Sequence, residues 1–247
     1  MRCYIPLGLT TVNEAIKGPR RSLRLLARLF CAREVVLCVV NEYSSLTPQA
    51  IMVLLNTRVI GRDVLVFRET ASTNDLARHA GDSGAAEGIV FFAERQTAGR
   101  GTHGRTWISA PNQGLWFSIL LRAKLPLDQC SILVQLAAIA VAEAVEPWLE
   151  EPVRIKLPND LVLGGGKLAG FLLETSNRSS FQVLGIGINV RSAPEIPGFP
   201  TSALDHFSKA PVPLNELAAT ILNRLDVWYA TKPFEEVGPA FRARLLG

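Results

Sequence analysis

The residues best suited to chemistry in this 247-residue chain run from Glu94 to Trp107, as Glu-Arg-Gln-Thr-Ala-Gly-Arg-Gly-Thr-His-Gly-Arg-Thr-Trp. Three glycines (Gly99, Gly101, Gly104) sit among three arginines (Arg95, Arg100, Arg105). Glycine lets backbone approach a ligand closely and aim its N–H groups inward, because no Cβ obstructs it. A guanidinium beside such a loop neutralises phosphate or carboxylate oxygens with forked hydrogen bonds. The Trp107 indole offers a flat face to a base. Taken alone, the run reads equally well as a solvated Gly/Arg surface loop. Three further polar clusters accompany it: Ser72-Thr73-Asn74, Lys156-Leu157-Pro158-Asn159-Asp160 and Gly185-Ile186-Gly187-Ile188-Asn189.

These clusters must be held by the elements around them. Apolar runs at 64–67, 88–93, 114–121 and 181–190 have strand length, and 153–157 is a short strand ended by Pro158. Residues 161–174 fold back at Gly164-Gly165-Gly166 as a hairpin. Helices are expected at 49–55, behind Thr47-Pro48, and at 72–81, capped by Ser72 or Thr73. Further helices are expected at 127–149, 214–229 and 234–245, the first of them largely buried because it is mostly alanine and aliphatic. All four clusters then fall at strand ends or turns. The pattern is that of an α+β domain around a mixed, mainly antiparallel sheet with packed helices.

Composition narrows the class. A hydrophobic share of 48% with 19% charged residues describes a folded globular chain. The net charge of +4 suits an anionic ligand without requiring nucleic acid. Cys3, Cys31, Cys38 and Cys130 show no CxxC spacing, which argues against a disulfide framework or zinc site and fits a reducing cytoplasm. No uninterrupted apolar run reaches the roughly 18 residues of a membrane span. Within 1–45, arginines punctuate leucines at near-helical spacing over 20–33, as in a basic amphipathic helix packed on the main domain. A nucleic-acid arm or a presequence shares that pattern, but no helix-turn-helix pair is legible, so DNA binding is not expected.

The ordered clusters resemble the biotin protein ligases, within the biotin/lipoate ligase superfamily. The family patterns STN, QxxGRGRxGRxW, KWPND, KLAGxLxE and GxGxN correspond to Ser72–Asn74, Gln96–Trp107, Lys156–Asp160, Lys167–Glu174 and Gly185–Asn189. The resemblance covers roughly residues 46–240, read here as a catalytic domain over 46–247. It implies ATP-dependent activation of biotin to biotinyl-5′-AMP, with Mg²⁺ accompanying ATP, and transfer to a lysine of a biotin carboxyl carrier domain. It also implies that Lys156 and Arg100 are catalytic. By the same resemblance Ser72, Thr73, Asn74, Gln96, Arg100, Gly101, Thr102 and Lys156 bind biotin, the backbone of 100–102 donating N–H groups. Gly99, Arg105, Trp107, Asn159, Asp160, Lys167 and Asn189 serve ATP and the adenylate, Asp160 being placed to support Mg²⁺ or orient a cation. No protein-held metal is implied, and a homodimer is allowed.

Departures from the pattern are specific. Thr102 stands where the family has arginine, and Leu157 replaces the tryptophan of KWPND. No N-terminal winged helix is recognisable in 1–45, and the small C-terminal β-barrel of many relatives is not expected before Gly247. The alternatives are a lipoate or octanoate ligase or transferase, and a non-catalytic biotin-binding regulator.

Overall fold

The computed structural model describes residues 46–175 and 180–247, so the basic helix expected over 20–33 lies outside the described residues. Within them, a seven-stranded sheet carries the site. Its strands are β1 (Asp63–Thr70), β2 (Ile89–Gln96), β3 (Gly114–Leu121), β4 (Arg154–Lys156), β5 (Asp160–Leu163), β6 (Gly166–Thr175) and β7 (Gln182–Asn189). The spatial order is β1-β2-β3-β7-β6-β5-β4. Only β1 and β2 pair in parallel, joined by helix α2 (Thr73–Asp82); every other pairing is antiparallel. The expected mixed, mainly antiparallel sheet is what the chain forms.

One sheet face is covered thickly. Helices α3 (Ile132–Val145) and α4 (Leu214–Asp226) pack there with the short α1 (Pro48–Met52) and α5 (Val237–Ala243). Val64, Val90, Phe92, Phe117, Ile119, Leu184, Ile186 and Ile188 point into this core. The Phe92 and Phe117 rings stack with centroids 4.7 Å apart. The helical run Leu127–Trp148 is long and apolar enough to cross a membrane by length and composition, yet it is the helix buried at the centre of this core. Among the described helices, the other face carries only α2, over a small cluster of Leu65, Phe67, Ala77, Ala80, Phe91 and Leu120. What α2 leaves uncovered on that face is the cleft described below.

Element ends differ from the sequence expectation for local reasons. β2 continues to Gln96, because Glu69 and Thr70 of β1 extend the parallel pairing to Arg95 and Gln96. The helix expected over 127–149 is α-helical only over 132–145, with a 3₁₀ turn at each end, the second containing Pro147. α4 gives way at Asp226, whose buried carboxylate accepts the backbone N–H groups of Arg58, Val59 and Ile60 at 2.7–2.8 Å.

Candidate active site

Glycines clear the floor of the cleft. Gly185, Gly187 and Asn189 alternate along β7 and so share one face. A Cβ at Gly185 would lie 2.3 Å from Asn74 Oδ1, and one at Gly187 2.4 Å from the Trp107 ring. Gly170 of β6 stands opposite Gly187 in the register, and its Cβ would meet the same indole at 2.8 Å. The two strands can therefore take Asn74 and Trp107 directly onto their backbones. The resulting cleft has a volume of about 990 Å³.

At one end lies a compact set of small polar groups. Ser72 is the N-cap of α2, but its side chain makes no capping bond; it is buried and lines the cleft. The Thr73 N–H donates to Gln96 Oε1 at 2.8 Å, and Gln96 Nε2 donates to Ser109 Oγ at 2.9 Å. Thr73 Oγ1 lies 2.7 Å from Ser118 Oγ, and the Ser118 hydroxyl donates to Asn74 Oδ1 at 2.5 Å. With its oxygen engaged, Asn74 keeps a buried Nδ2 donor without a partner. A buried amide donor left unpaired is costly unless a ligand acceptor meets it. This end thus offers donors and acceptors close together in a small space.

The glycine-rich stretch is an extension of the sheet rather than an irregular loop. Gln96 bridges Ser109 and Arg100 bridges Thr106, so 96–109 is a two-stranded ribbon turning at Thr102-His103-Gly104. The turn has φ 57° at His103 and 71° at Gly104. The Trp107 N–H donates to Gly99 O at 2.9 Å and the Gly101 N–H to Arg105 O at 2.7 Å. Two expectations change here. The Gly101 N–H belongs to the ribbon itself, so it is not free for a ligand. Gly99 does not line the cleft; its missing Cβ makes room for the Trp107 carbonyl, which would otherwise lie 2.5 Å away.

The Arg100 guanidinium makes four hydrogen bonds to two carboxylates. Nη1 and Nη2 reach both oxygens of Asp75 at 3.0 and 2.9 Å, and Nε and Nη2 reach Glu174 Oε1 at 3.2 and 3.0 Å. The Asp75 and Glu174 carboxylates hold Arg100 firmly protonated against the opposing effect of burial. Burial alone would raise the Asp75 pKa, but Arg100 and then Arg78 outweigh it and hold the carboxyl below its ordinary 3.8. Arg105 curls back on the turn, donating from Nη2 to Thr102 Oγ1 at 3.0 Å and from Nε to Thr102 O at 3.2 Å. Trp107 packs edge-on to Trp116 at 6.1 Å, with Lys167 Nζ 5.3 Å above its ring; its buried Nε1 has no partner.

At the other end, β4 delivers Lys156. This lysine lines the cleft, is exposed, and makes no ion pair with a described residue. The turn after it contains a cis Leu157–Pro158 bond and is pinned to β6, where Asn159 Nδ2 donates to Phe171 O at 2.7 Å. Asn159 therefore fixes the turn that carries Lys156. Asp160 pairs with Lys167 at 2.7 Å. Asn189 Nδ2 donates to Lys167 O and Ser202 O, leaving a buried Oδ1 acceptor without a partner. Among the described residues no cluster of three or more His, Cys, Asp or Glu side chains could hold a metal ion. Asp160, the carboxylate singled out for supporting Mg²⁺, is instead paired with Lys167.

Of the residues given a catalytic or binding role by the sequence, all but Gly99 line this one cleft. Sequence reading missed Ser118, Ser109 and Asp75, although Asp75 directly follows the STN triplet. It also missed Arg154, two residues before Lys156 on the same edge of β4, and the proline-rich strap 194–201, whose Ile196 and Phe199 wall the cleft.

The chain is similar in sequence and fold to known proteins. The sequence model of the biotin/lipoate A/B protein ligase family matches residues 66–190. A biotin–[acetyl-CoA-carboxylase] ligase of Mycobacterium tuberculosis is 36% identical over 195 residues, covering 75% of this chain and 71% of that protein. The bifunctional ligase/repressor BirA of Bacillus subtilis is 34% identical over 159 residues, 63% of this chain; the match spans 49% of that relative, about half its length. The biotin protein ligase of Aquifex aeolicus, solved in complex with biotin and ATP, superposes with a TM-score of 0.64 at 28% identity, covering 75% of this chain and 79% of that one.

Proposed function

The chain belongs to the biotin/lipoate A/B protein ligase family, and from that premise we propose that it activates biotin with ATP and transfers it to a lysine of a carboxylase carrier domain. The observation that supports this most is the meeting of five separated motifs in one cleft, with small polar groups at one end and an unpaired lysine at the other. A cyclic urea has one carbonyl acceptor and two N–H donors. Asn74 Nδ2 and the oxygens of Thr73 and Gln96, residues that line the cleft, supply the complementary set in a pocket of the right scale, with the buried Ser118 hydroxyl holding Asn74 and Thr73 in place.

In the first step a biotin carboxylate oxygen attacks the α-phosphorus of ATP. The bond to the β-phosphate oxygen breaks, and pyrophosphate leaves. Both reactants are anionic, so fixed positive charge is needed where they meet, and Lys156 has no protein carboxylate among the described residues competing for it. In the second step the carrier's lysine amine attacks the acyl carbon of the mixed anhydride, forming the amide and releasing AMP. Asn189 Oδ1 and Trp107 Nε1 are both buried and unpaired, on residues that line the same cleft. Magnesium is proposed as the ion of ATP, and the cytoplasm as the compartment. The test is biotin-dependent ATP–pyrophosphate exchange by the purified chain, followed by transfer of labelled biotin to a carrier domain. Exchange driven by lipoate or octanoate and not by biotin would overturn the assignment.

A further inference from the structure

We infer that Asp75 and Glu174 are positioning residues that clamp the glycine ribbon over the cleft through Arg100, so that they set how long ligand is retained rather than how fast it reacts. The inference rests on the proposed biotin ligase reading for the identity of the ligand. It rests on geometry for the clamp. Arg100 stands at the base of the ribbon turn, Asp75 in the first turn of α2 and Glu174 near the end of β6. Asp75 takes the guanidinium end-on with two hydrogen bonds of 2.9 and 3.0 Å, and Glu174 takes its Nε edge at 3.0 and 3.2 Å. Arg78 bonds Asp75 as well and lies 3.7 Å from Glu174 Oε2.

Two guanidiniums and two carboxylates make a cluster with no net charge. Such a cluster is a poor anion site, because a phosphate drawn to Arg100 would face Asp75 and Glu174 at the same distance. Its effect is mechanical. Asp75 is next in the chain to Thr73 and Asn74, and Arg100 is next to Gly101 and Thr102, all of which line the cleft. The clamp therefore fixes the ribbon against the helix turn that carries the small polar groups. Lifting the ribbon to release a ligand beneath it requires both arms of the fork to break.

The test uses Asp75→Asn and Glu174→Gln, which keep shape and remove charge, with Arg100→Gln as reference. Each carboxylate variant should raise the biotin Kd, measured calorimetrically without ATP, by roughly three- to tenfold, the scale for half-exposed charge-assisted pairs. Pyrophosphate exchange at saturating biotin should keep its kcat within about twofold in both, since an interaction made equally before and during reaction alters KM alone. Combining Asp75→Asn with Arg100→Gln should weaken biotin no more than Arg100→Gln alone. If Arg100→Gln spares biotin and weakens ATP while the carboxylate variants are silent, Arg100 acts on phosphate and the clamp is wrong. Lowered kcat with unchanged biotin affinity in the carboxylate variants would also overturn it. A readout independent of biotin is tryptic cleavage after the exposed Arg105 in ligand-free protein. It should speed up severalfold in Asp75→Asn and Glu174→Gln, and unchanged cleavage sinks the clamp whether or not the chain ligates biotin.

Discussion

The ribbon side and the β4 side of the cleft each present a cation, held in opposite ways. Arg100 is enclosed by two carboxylates from α2 and β6, whereas Lys156 stands on an exposed strand end without an ion pair among the described residues. An arginine between two carboxylates brings no charge to a reaction; it brings rigidity. A lysine kept clear of carboxylates brings little rigidity, and its charge stays available to the substrate. On the function proposed above, charge at the cleft is divided between holding and reacting, and the division cannot be told from residue type.

The strongest way to break this contrast is to remove the free cation. Lys156→Ala should lower biotin-dependent pyrophosphate exchange by ~100-fold or more, the scale for an electrostatic stabiliser at a reacting centre. Its melting temperature should stay near the parent value, since no described residue depends on Lys156 for an ion pair. Exchange near the parent rate would move the reacting charge elsewhere, with Arg154 the next residue to test.

The ribbon side should instead respond through stability and fit. Gly99→Ala places a Cβ 2.5 Å from the Trp107 carbonyl, an overpacking worth about 1–3 kcal/mol. Gly101→Ala meets nothing nearer than 3.4 Å at an ordinary φ of −113°, so it should melt within a degree or two of the parent, about the ±0.5 kcal/mol of a neutral surface change. Equal melting temperatures for the two variants would mean that the ribbon is not packed as described.

Acid should loosen the ribbon. Because the folded-state pKa of Asp75 lies below its ordinary 3.8, the stabilisation is complete above that value and is lost as pH falls through the folded value. For a pair this exposed the contribution is about 1 kcal/mol or less. Denaturant titrations from pH 6 down to about 3 should therefore show a shallower loss of stability in Asp75→Asn than in the parent. Parallel curves would show that the clamp adds no stability.

The smallest effect is expected at Thr102. An arginine there would add a cation that no carboxylate holds, and a free charge-assisted contact would slow adenylate release by tenfold or more, on a scale of about 1.5–3 kcal/mol. Arg105 already reaches the Thr102 hydroxyl and carbonyl, so the two guanidiniums would share one space. Thr102→Arg should accordingly slow release of labelled biotinyl-5′-AMP only about threefold, a gain of under 1 kcal/mol. Equal or faster release would mean that Arg105 has rebuilt the contact.

Much of this site was legible from residue order alone. Alternation places Gly185, Gly187 and Asn189 on one strand face, and Gly164-Gly165 turns the β5–β6 hairpin with φ of 56° and 80°. These are local properties, set by side-chain period and by which residues tolerate positive φ, so they survive reading one segment at a time. The cleft gathers residues from every motif, Gly99 being the assigned site residue that stands outside it. Partnership was not legible. Arg100 meets Glu174 across 74 positions and Asp75 across 25, and Ser118 meets Asn74 across 44. Nothing near Arg100 in the chain reveals that its charge is balanced, nor near Ser118 that it completes the polar end. Residue order alone settles which strands form, where backbone must stay bare and which side chains could serve. Which cation is free depends on the fold, because charge is neutralised by whatever lies within a few ångströms in space, and the sheet order β3-β7-β6 sets those neighbours.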